Sequence, residues 1–280
     1  MAATSIHDLP EDCLAHVIAF TSPHNACESS IVSTMFRNSV ESDLVWDKFL
    51  PYDYRDIISK LVSPIEFSSK KDLFFKLSTP LLIDGGNKTF AIDKFTNKKC
   101  YMLSARELSI SWASNHLCWS WKPLLHSRFY EGAELVMVSW LEIQGKINSQ
   151  MLSKNTTYGA YLIVKLARRA FGLDLLPSEV SIEIGDYKSI GTTYLRDHAS
   201  KKQKLEHDYM QHKIDGSRSG VCEAEEHVVH IREDGWLEVE LGEFYCDGKD
   251  KEVKMSFKEV EGEHLKGGLL VEGIELRPKD

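Results

Sequence analysis

The sequence lacks the features that would place it in a membrane or in an oxidising compartment. Its 280 residues contain no apolar run long enough to cross a bilayer. The N-terminus MAATSIHDLPEDC has no basic segment followed by an apolar one, as a secretory signal would. The chain has six scattered cysteines and no CxxC pair: Cys13, Cys27, Cys100, Cys118, Cys222 and Cys246. This spacing is typical of reduced thiols, so we expect a cytoplasmic and/or nuclear protein.

The chain also lacks an excess of positive charge. It has 34 basic and 42 acidic residues, a net charge of −8, and so lacks the electrostatic footprint of a nucleic-acid-binding protein. The short basic cluster SKKQK, with Lys201, Lys202 and Lys204, favours a solvated loop over a nuclear-import signal. No glycine-rich loop follows a strand and opens a helix, so there is no nucleotide-binding signal. We expect neither nucleic acid nor membrane as a partner, and no cofactor.

Patterns that would support catalysis or metal binding are sparse. Glu238 and Glu240 share a strand face and lie about 6.6 Å apart, near the separations of about 5–9.5 Å found in glycosidases. Alternation with leucine and valine is what any solvent-facing strand shows, so the pattern favours a non-catalytic surface. Four histidines fall in or beside one charged stretch: His207, His212, His227 and His230. They lack a carboxylate or cysteine at ligand spacing, so we expect no metal site and no enzyme.

The first fifty residues show the periodicity of short helices. Pro10, flanked by acidic residues, is a helix start, and Leu14, Val17 and Ile18 follow at helical spacing. Residues 22–25 break this helix, a second begins near Ala26, and a third covers SDLVWDKFL. Three short helices have little core of their own, so we expect them to lean on a partner.

Residues 51–80 form a connecting region of helix and loop. Its clearest signal is Ser69 followed three residues later by Asp72, which predicts a helix opened by a capping box over SSKKDLFFKL.

From residue 81 the pattern changes to short segments with a period of two, which is typical of half-buried strands. Three segments show the alternation clearly: Leu108, Ile110 and Trp112; Leu237, Val239 and Leu241; Val253, Met255 and Phe257. Strands at such spacing predict an antiparallel β-sandwich. The charged, aperiodic stretch at 197–230 is interpreted as a long mobile insertion.

The segments LPEDCLAHVIAF and IVSTMFRNSVESDLVW together resemble an F-box. The matching positions are Leu9, Pro10, Leu14, Ile18, Val32, Phe36 and Trp46. The resemblance implies binding to the Skp-type adaptor of a cullin-based, SCF-type ubiquitin ligase. Its adaptor-binding candidates are Leu9, Pro10, Leu14, Ile18 and Trp46. The alternative is a helical cap that merely packs on the downstream domain.

Residues 81–280 resemble the phloem protein 2 family of Nictaba-like lectins, through WSWK, VSWLEIQGKI, DGWLEVELGEFY and LLVEGIELRPK. The resemblance implies a lectin-like jelly-roll sandwich that binds glycans or glycoproteins containing N-acetylglucosamine or galactose. We therefore predict an α+β chain with a three-helix F-box at 1–50, a connecting region at 51–80 and a sandwich at 81–280. As a non-catalytic substrate receptor, it would hold a client near a ubiquitin-charged enzyme.

Two tryptophans are the candidate carbohydrate-binding residues, since the resemblance implies this role for Trp112 and Trp119. Strand alternation predicts that Trp112 is partly buried, whereas Trp119 follows the loop ASNHLC and is expected to face the ligand. Three other tryptophans of the sandwich, Trp121, Trp140 and Trp236, are expected in the core. Between Trp112 and Trp119 the family usually has an acid, a proline and an aromatic residue. This chain instead has Ser114, His116 and Cys118, so a protein-binding receptor whose lectin site has decayed is one alternative. A lectin without a ligase role, whose helical N-terminus merely packs inside, is the other.

Overall fold

The computed structural model describes residues 9–125, 127–195 and 229–279. The predicted insertion at 197–230 therefore lies outside the described residues except for its last two positions. Lys201, Lys202, Lys204, His207, His212 and His227 lie outside them as well.

Six short helices come first. They are α1 (Glu11–Ile18), α2 (Pro23–Ser29), α3 (Thr34–Glu41), α4 (Asp43–Phe49), α5 (Tyr54–Ser59) and α6 (Lys70–Leu77). The segment predicted as one second helix is two helices, α2 and α3. The reason is hydroxyl chemistry at the break: Ser30 Oγ donates to the Cys27 carbonyl at 2.6 Å. Ser33 Oγ accepts a hydrogen bond from the Phe36 amide at 3.3 Å, which caps a new helix start.

Helix α6 begins as the sequence predicts. Ser69 Oγ accepts from the Asp72 amide at 3.1 Å. The reciprocal bond is displaced by one residue, because Asp72 Oδ2 accepts from the Ser68 amide at 3.0 Å instead of from Ser69. The cap therefore satisfies two backbone donors at the helix start, as a capping box does.

The helical unit at residues 9–50 completes its core with α6. Trp46 is fully buried, and its indole Nε1 donates to the Val40 carbonyl at 2.6 Å. Its ring centroid lies 5.3 Å from that of Phe74 in α6. Support for the short helices, which the sequence suggested would come from a partner, comes in part from the connecting region of the same chain.

The rest of the described chain is β-structure. The strands are β1 (Leu81–Ile83), β2 (Lys88–Ile92), β3 (Lys99–Ser104), β4 (Ser109–Ile110), β5 (Trp119–Pro123), β6 (Glu131–Leu135), β7 (Leu141–Asn148), β8 (Thr156–Phe171), β9 (Ser178–Ile184), β10 (Tyr187–Thr193), β11 (Val229–Ile231), β12 (Leu237–Cys246), β13 (Glu252–Glu259) and β14 (Gly267–Pro278). One sheet has the order β1-β2-β3-β14-β8-β12-β11, with β6 paired to β14 and β5 to β6. The other has the order β10-β9-β13-β7-β4. The strand pairings within both sheets are antiparallel, which confirms the predicted α+β class.

Alternating residues of both sheets fill the core between them. The two triads Leu237, Val239, Leu241 and Val253, Met255, Phe257 are buried as predicted. Glu238 is buried as well, so the prediction of a solvent-facing strand was wrong for this residue. The reason is that the outer face of the larger sheet has its own apolar cover, which includes Phe129, Tyr161 and Trp236.

The connecting region joins the helices to the sandwich through main-chain pairing. Leu61 forms a β-bridge with Ile83 in β1, and the Val62 amide donates to the Leu82 carbonyl at 3.0 Å. Buried apolar side chains form one continuous cluster from α1 through α6 to both sheets. The helical unit and the sandwich are therefore packed as one body.

Candidate functional site

The turn after β4 determines where Trp112 lies. The strand ends at Ile110, and the chain turns, with the Ala113 amide bonded to the Ile110 carbonyl at 3.1 Å. Trp112 has a φ of +66°, in the left-handed region that side chains rarely adopt. This conformation ends the alternation that began at Leu108, and the Trp112 side chain is 59% exposed.

Trp119 has the opposite environment. As the first residue of β5 it is paired with Leu135 of β6, it is only 2% exposed, and its ring belongs to the core. Its indole Nε1 donates to the Ser111 carbonyl at 3.0 Å, so the buried ring also fastens the turn that carries Trp112. The predicted orientation of the two rings is thus reversed: Trp112 faces outward and Trp119 is a core residue.

The other tryptophans of the sandwich also differ in burial. Trp236 is buried as predicted. Trp121 is half-buried, and the Arg106 guanidinium lies 3.5 Å from its ring centroid. Trp140 is 48% exposed, so its predicted place in the core was wrong. The alternation in β7 could have predicted this exposure. Leu141 and Ile143 are buried, so Trp140, one position before Leu141, belongs to the outer face.

Glu142 brings the exposed rings of Trp112 and Trp140 to one place. Its Oε2 accepts from Trp140 Nε1 at 3.2 Å and from Ser111 Oγ at 3.3 Å. Its Oε1 accepts from Gln144 Nε2 at 2.7 Å. Because Ser111 directly precedes Trp112, the turn that carries Trp112 and the indole of Trp140 both bind one carboxylate.

We call Trp112, Trp140, Ser111, Glu142 and Gln144 the tryptophan surface. It combines two flat apolar faces with a hydroxyl, a carboxylate and an amide, the groups that stack on and hydrogen-bond to a polar ligand with an apolar face. Sequence reasoning missed Trp140, Glu142 and Gln144.

The three residues that depart from the family pattern lie beside the tryptophan surface. Ser114 and His116 are exposed, and Cys118 is half-buried. The Cys118 carbonyl accepts from the Val136 amide at 2.8 Å, which fixes the turn against the segment leading to Trp140. The neighbouring Leu117 is exposed, so the rim of the tryptophan surface is partly apolar.

The adaptor-binding candidates fall into two groups. Leu9 and Pro10 are exposed, whereas Leu14, Ile18 and Trp46 are buried in the core of the helical unit. The exposed large apolar side chains of residues 9–50 are Leu9, Val17, Phe20, Ile31, Val32 and Leu44. We call these six the helical surface. The helical periodicity of the sequence therefore marks the inward face at Leu14 and Ile18 but was wrong for Val17, which is exposed. Phe20, Ile31 and Leu44 were not among the adaptor-binding candidates.

Glu238 and Glu240 are both in ion pairs. Arg277 Nη1 lies 2.8 Å from Glu238 Oε2, and Lys279 Nζ lies 2.7 Å from Glu240 Oε1. Burial alone would lower the pKa of Arg277, but the hydrogen bond and charge of Glu238 raise it above its ordinary value. Each carboxylate thus has a cation within hydrogen-bond distance.

His230 is exposed at β11, and the described part of the chain contains no group of three or more histidine, cysteine or acidic side chains arranged to hold a metal. None of the helices described above is long and apolar enough to cross a membrane.

Comparison with known proteins identifies two modules. The F-box domain model matches residues 6–48, and the phloem protein 2 model matches residues 98–278. F-box protein PP2-B15 of Arabidopsis thaliana is 47% identical, covering 97% of this chain and 96% of that protein. F-box protein VBF of the same plant is 45% identical over 97% of this chain and 99% of its own length. F-box protein PP2-B13, also from Arabidopsis thaliana, is 44% identical over 96% and 98%.

Among solved structures, an alpha-L-fucosidase from Vibrio sp. strain EJY3 gives a TM-score of 0.25 at 9% identity, over 89% of this chain and 46% of that one. That likeness is too low to support a conclusion about fold or activity. The family models and the near full-length relatives agree: the chain belongs to the phloem protein 2 family and carries an F-box at its N-terminus.

Proposed function

We propose that this protein is the substrate receptor of an SCF-type ubiquitin ligase. The observation that carries the proposal is the presence of an F-box and a phloem protein 2 domain in one chain, packed through one continuous core. The F-box implies a Skp-type adaptor, and the second domain implies a carbohydrate ligand. Catalysis is then supplied by the ligase, and the receptor contributes proximity between client and ubiquitin-charged enzyme.

We propose that the adaptor docks on the helical surface. Phe20, Ile31 and Val32 are large apolar side chains that the chain itself leaves in solvent. Apolar anchors of this kind form the energetic centre of protein interfaces. The buried candidates Leu14, Ile18 and Trp46 would support that surface from within, while Leu9 and Pro10 would contact the adaptor.

Capture of a purified Skp adaptor tests this proposal. The variant Ile31→Ala with Val32→Ala should lose at least 10-fold in affinity, since truncating anchors of this kind costs about 1–2 kcal/mol each. The matched control is Leu175→Ala with Leu176→Ala, an exposed leucine pair in the sandwich, which should bind like wild type. If wild type itself captures no adaptor but binds glycan, the protein is a lectin without a ligase role.

We propose that the tryptophan surface binds the carbohydrate of a glycoprotein client, with N-acetylglucosamine or galactose as the recognised sugar. The rings of Trp112 and Trp140 offer apolar faces to the C–H face of a sugar. Glu142 and Gln144 offer an acceptor and an amide to its hydroxyls. An open surface with two rings predicts weak affinity, on the order of millimolar to high micromolar.

Titration of chitotriose, followed by tryptophan fluorescence, tests the carbohydrate proposal. Trp112→Ala and Trp140→Ala should each weaken binding with little loss of stability, because both rings are exposed. The control is Tyr187→Ala, an exposed aromatic residue in β10, the strand at the opposite edge of the same sheet. No response of the wild type up to about 10 mM, well above the expected range, would contradict sugar binding.

A second candidate is that this surface recognises protein. Leu117, Val136 and Met137 are exposed apolar residues of the same turn and its neighbouring segment, and apolar surface of this kind favours a protein partner. Client capture that resists about 10 mM chitotriose but is lost in Leu117→Asp would establish this alternative.

We further propose that the protein acts in a reducing compartment, the cytoplasm and/or the nucleus. In support, the described cysteines are free: Cys13, Cys27, Cys100, Cys118 and Cys246. Fractionation of plant tissue with a tagged full-length chain tests this, and recovery from the secretory pathway would contradict it.

A further inference from the structure

A cavity lies where the connecting region meets the sandwich, apart from both surfaces described above. Its volume is about 300 Å³, and α5 and its N-terminal flank provide one wall. The other wall comes from β3 and the end of β7. We call it the junction cavity and define it by Asp53, Ile57, Tyr101, Asn148, Gln150 and Met151. Asn148 lies six residues along β7 from Glu142, about 20 Å from the tryptophan surface.

Asp53 presents a carboxylate oxygen that the chain does not use. Its Oδ2 accepts from the buried Lys99 Nζ at 2.7 Å. Its Oδ1 is buried and has no hydrogen-bond partner among the described residues, and the partly exposed carboxylate brings this oxygen to a ligand by rotating towards the cavity. Asp53 occupies the N-cap position of α5, but its side chain makes no capping bond. A buried acceptor without a donor is costly, by about 1–3 kcal/mol, so the oxygen favours a ligand that brings a donor.

Tyr101 presents an unused hydroxyl in the same cavity. The residue is only 4% exposed, and its ring is held against Phe90 at 5.3 Å between centroids. Its hydroxyl makes no hydrogen bond to the residues that the structure describes. Burial, and next the charge of Asp53, raise the pKa of Tyr101 above its ordinary value. The hydroxyl therefore stays protonated and can both donate and accept.

A neighbouring tyrosine shows what a structural hydroxyl looks like in this fold. Tyr158 is also buried, but its hydroxyl donates to the Lys99 carbonyl at 2.9 Å and accepts from the Ser153 amide at 3.0 Å. Both tyrosines lie near Lys99, but only the Tyr158 hydroxyl makes hydrogen bonds to other described residues. The open hydroxyl of Tyr101 is therefore a property of the cavity and not of buried tyrosines in general.

The charges around the junction cavity exclude a strongly ionic ligand. The charge of Asp53 is neutralised by Lys99, which is buried and does not line the cavity, and the lining residues Asp56 and Lys60 carry opposite charges, so these four groups leave no net charge at the cavity. Uncharged groups complete the wall: the amides of Asn148 and Gln150 and the apolar side chains of Ile57, Ile83 and Met151. Carboxylate, phenol and amides beside apolar side chains suit a neutral molecule with several hydroxyls and an apolar face. A volume near 300 Å³ is at the lower end for ligand pockets.

We propose that the junction cavity binds a small neutral polyol about the size of one sugar ring, whose hydroxyls donate to Asp53 Oδ1 and pair with Tyr101. This site is distinct from the tryptophan surface. Because its walls come from α5 and from the sandwich, a bound polyol stabilises the packing between the connecting region and the sandwich. Binding would raise the stability of the full chain by mass action.

The test uses D-glucose as the probe on the full-length chain, with calorimetric titration and thermal unfolding. Wild type should bind saturably and melt at a higher temperature with the sugar present. Tyr101→Phe should bind about fivefold more weakly, as expected for one lost hydrogen bond. Its ligand-free melting temperature should match or exceed that of wild type, since no internal bond is removed. The matched variant Tyr158→Phe should melt about 2–4 °C lower.

Two further probes and one further variant decide the class of ligand and the site. Saturable binding of methylammonium or inorganic phosphate without binding of D-glucose would overturn the polyol assignment. No saturable D-glucose binding up to about 10 mM, or equal binding by Tyr101→Phe, would overturn the site. Loss of D-glucose binding in Trp112→Ala with full binding by Tyr101→Phe would assign the sugar to the tryptophan surface. That result contradicts this inference and leaves the proposed function intact.

Discussion

The helical unit and the sandwich handle apolar side chains in opposite ways. The helical unit leaves Phe20, Ile31 and Val32 in solvent and depends on α6 to bury Trp46. The sandwich closes its core between two sheets and presents Trp112 and Trp140 at one edge, each beside polar groups. A unit of about forty residues cannot enclose its apolar content, so its exposed apolar residues point to a partner. The larger domain encloses its core and still has scattered exposed rings such as Tyr187, but at the edge that carries Trp112 and Trp140 polar groups lie beside the rings, as suits a ligand.

The largest expected effect comes from Trp46→Ala. Removing this buried ring leaves a cavity and the Val40 carbonyl without its donor, so the free energy of unfolding should fall by about 3–5 kcal/mol. Hydrogen exchange should accelerate in α1–α4, while the central strand β8 stays protected. Equal loss of protection in β8 would mean that the two regions unfold as one unit.

Two neighbours in α1 sharpen the comparison within the helical unit. Leu14→Ala removes a fully buried side chain and should lower the free energy of unfolding by about 2–5 kcal/mol. Val17→Ala removes an exposed one and should change it by less than about 0.5 kcal/mol, while adaptor capture falls. Chemical denaturation and adaptor pull-down measure the two effects. Equal loss of stability in both variants would refute the assignment of inward and outward faces.

Trp112→Gly tests the sandwich side of the comparison. Glycine accepts the positive φ of this position without strain. The free energy of unfolding should therefore be unchanged or higher by up to about 1 kcal/mol, while chitotriose binding is lost. Denaturant titration and the fluorescence assay measure both quantities. A clear loss of stability would show that the Trp112 ring is structural.

The smallest expected effect is a difference in acid sensitivity. Burial opposes ionisation of Glu275, but the charges of Arg128 and Arg232 outweigh it and lower the pKa of Glu275 below its ordinary value. Arg128 lies 2.8 Å and Arg232 2.6 Å from its carboxylate oxygens. A carboxylate with a lowered folded-state pKa stabilises the fold at higher pH and loses that contribution as pH falls through the folded-state value. The sandwich should therefore lose stability as pH falls below about 4.5.

The acidic side chains of α1–α4 are exposed, among them Glu11, Glu28 and Asp47, so hydrogen exchange in those helices should respond less to acid. The variant Arg232→Met should flatten the acid dependence of the sandwich. A steeper dependence in the variant than in wild type would contradict this account of Glu275.

Sequence reasoning succeeded where local chemistry determines the structure. The Ser69 and Asp72 pair marks the start of α6, and the alternation at Leu237 and Val253 identifies inward-facing residues. It failed where a strand ends or where the outer face of a sheet is covered. The alternation through Trp112 assumed a strand that stops at Ile110.

The candidate sites were predicted only in part, for the same physical reason. Trp112 was named as a candidate and is exposed, though it was expected to be partly buried, and Trp119 and Trp140 were assigned to each other's environments. In the helical unit the periodicity at Leu14 and Ile18 identified the packed face, because a 3.6-residue repeat reports burial and not contact with a partner. The repeat also included Val17, which is exposed, so only the folded chain separates packed from exposed apolar residues.

The main-chain pairing of Leu61 with Ile83 limits how this protein can be recombined with others. Residues 49–97 lie between the two family matches. They contain Phe74, which packs on Trp46, and the bridge between Leu61 and Ile83 of β1. A chimaera cut at residue 50 would expose the Trp46 ring, and one cut at residue 80 would leave β1 without the Leu61 bridge. The connecting region must therefore be kept together with the modules on both of its sides. Exchange of F-boxes among such proteins requires a matching α6.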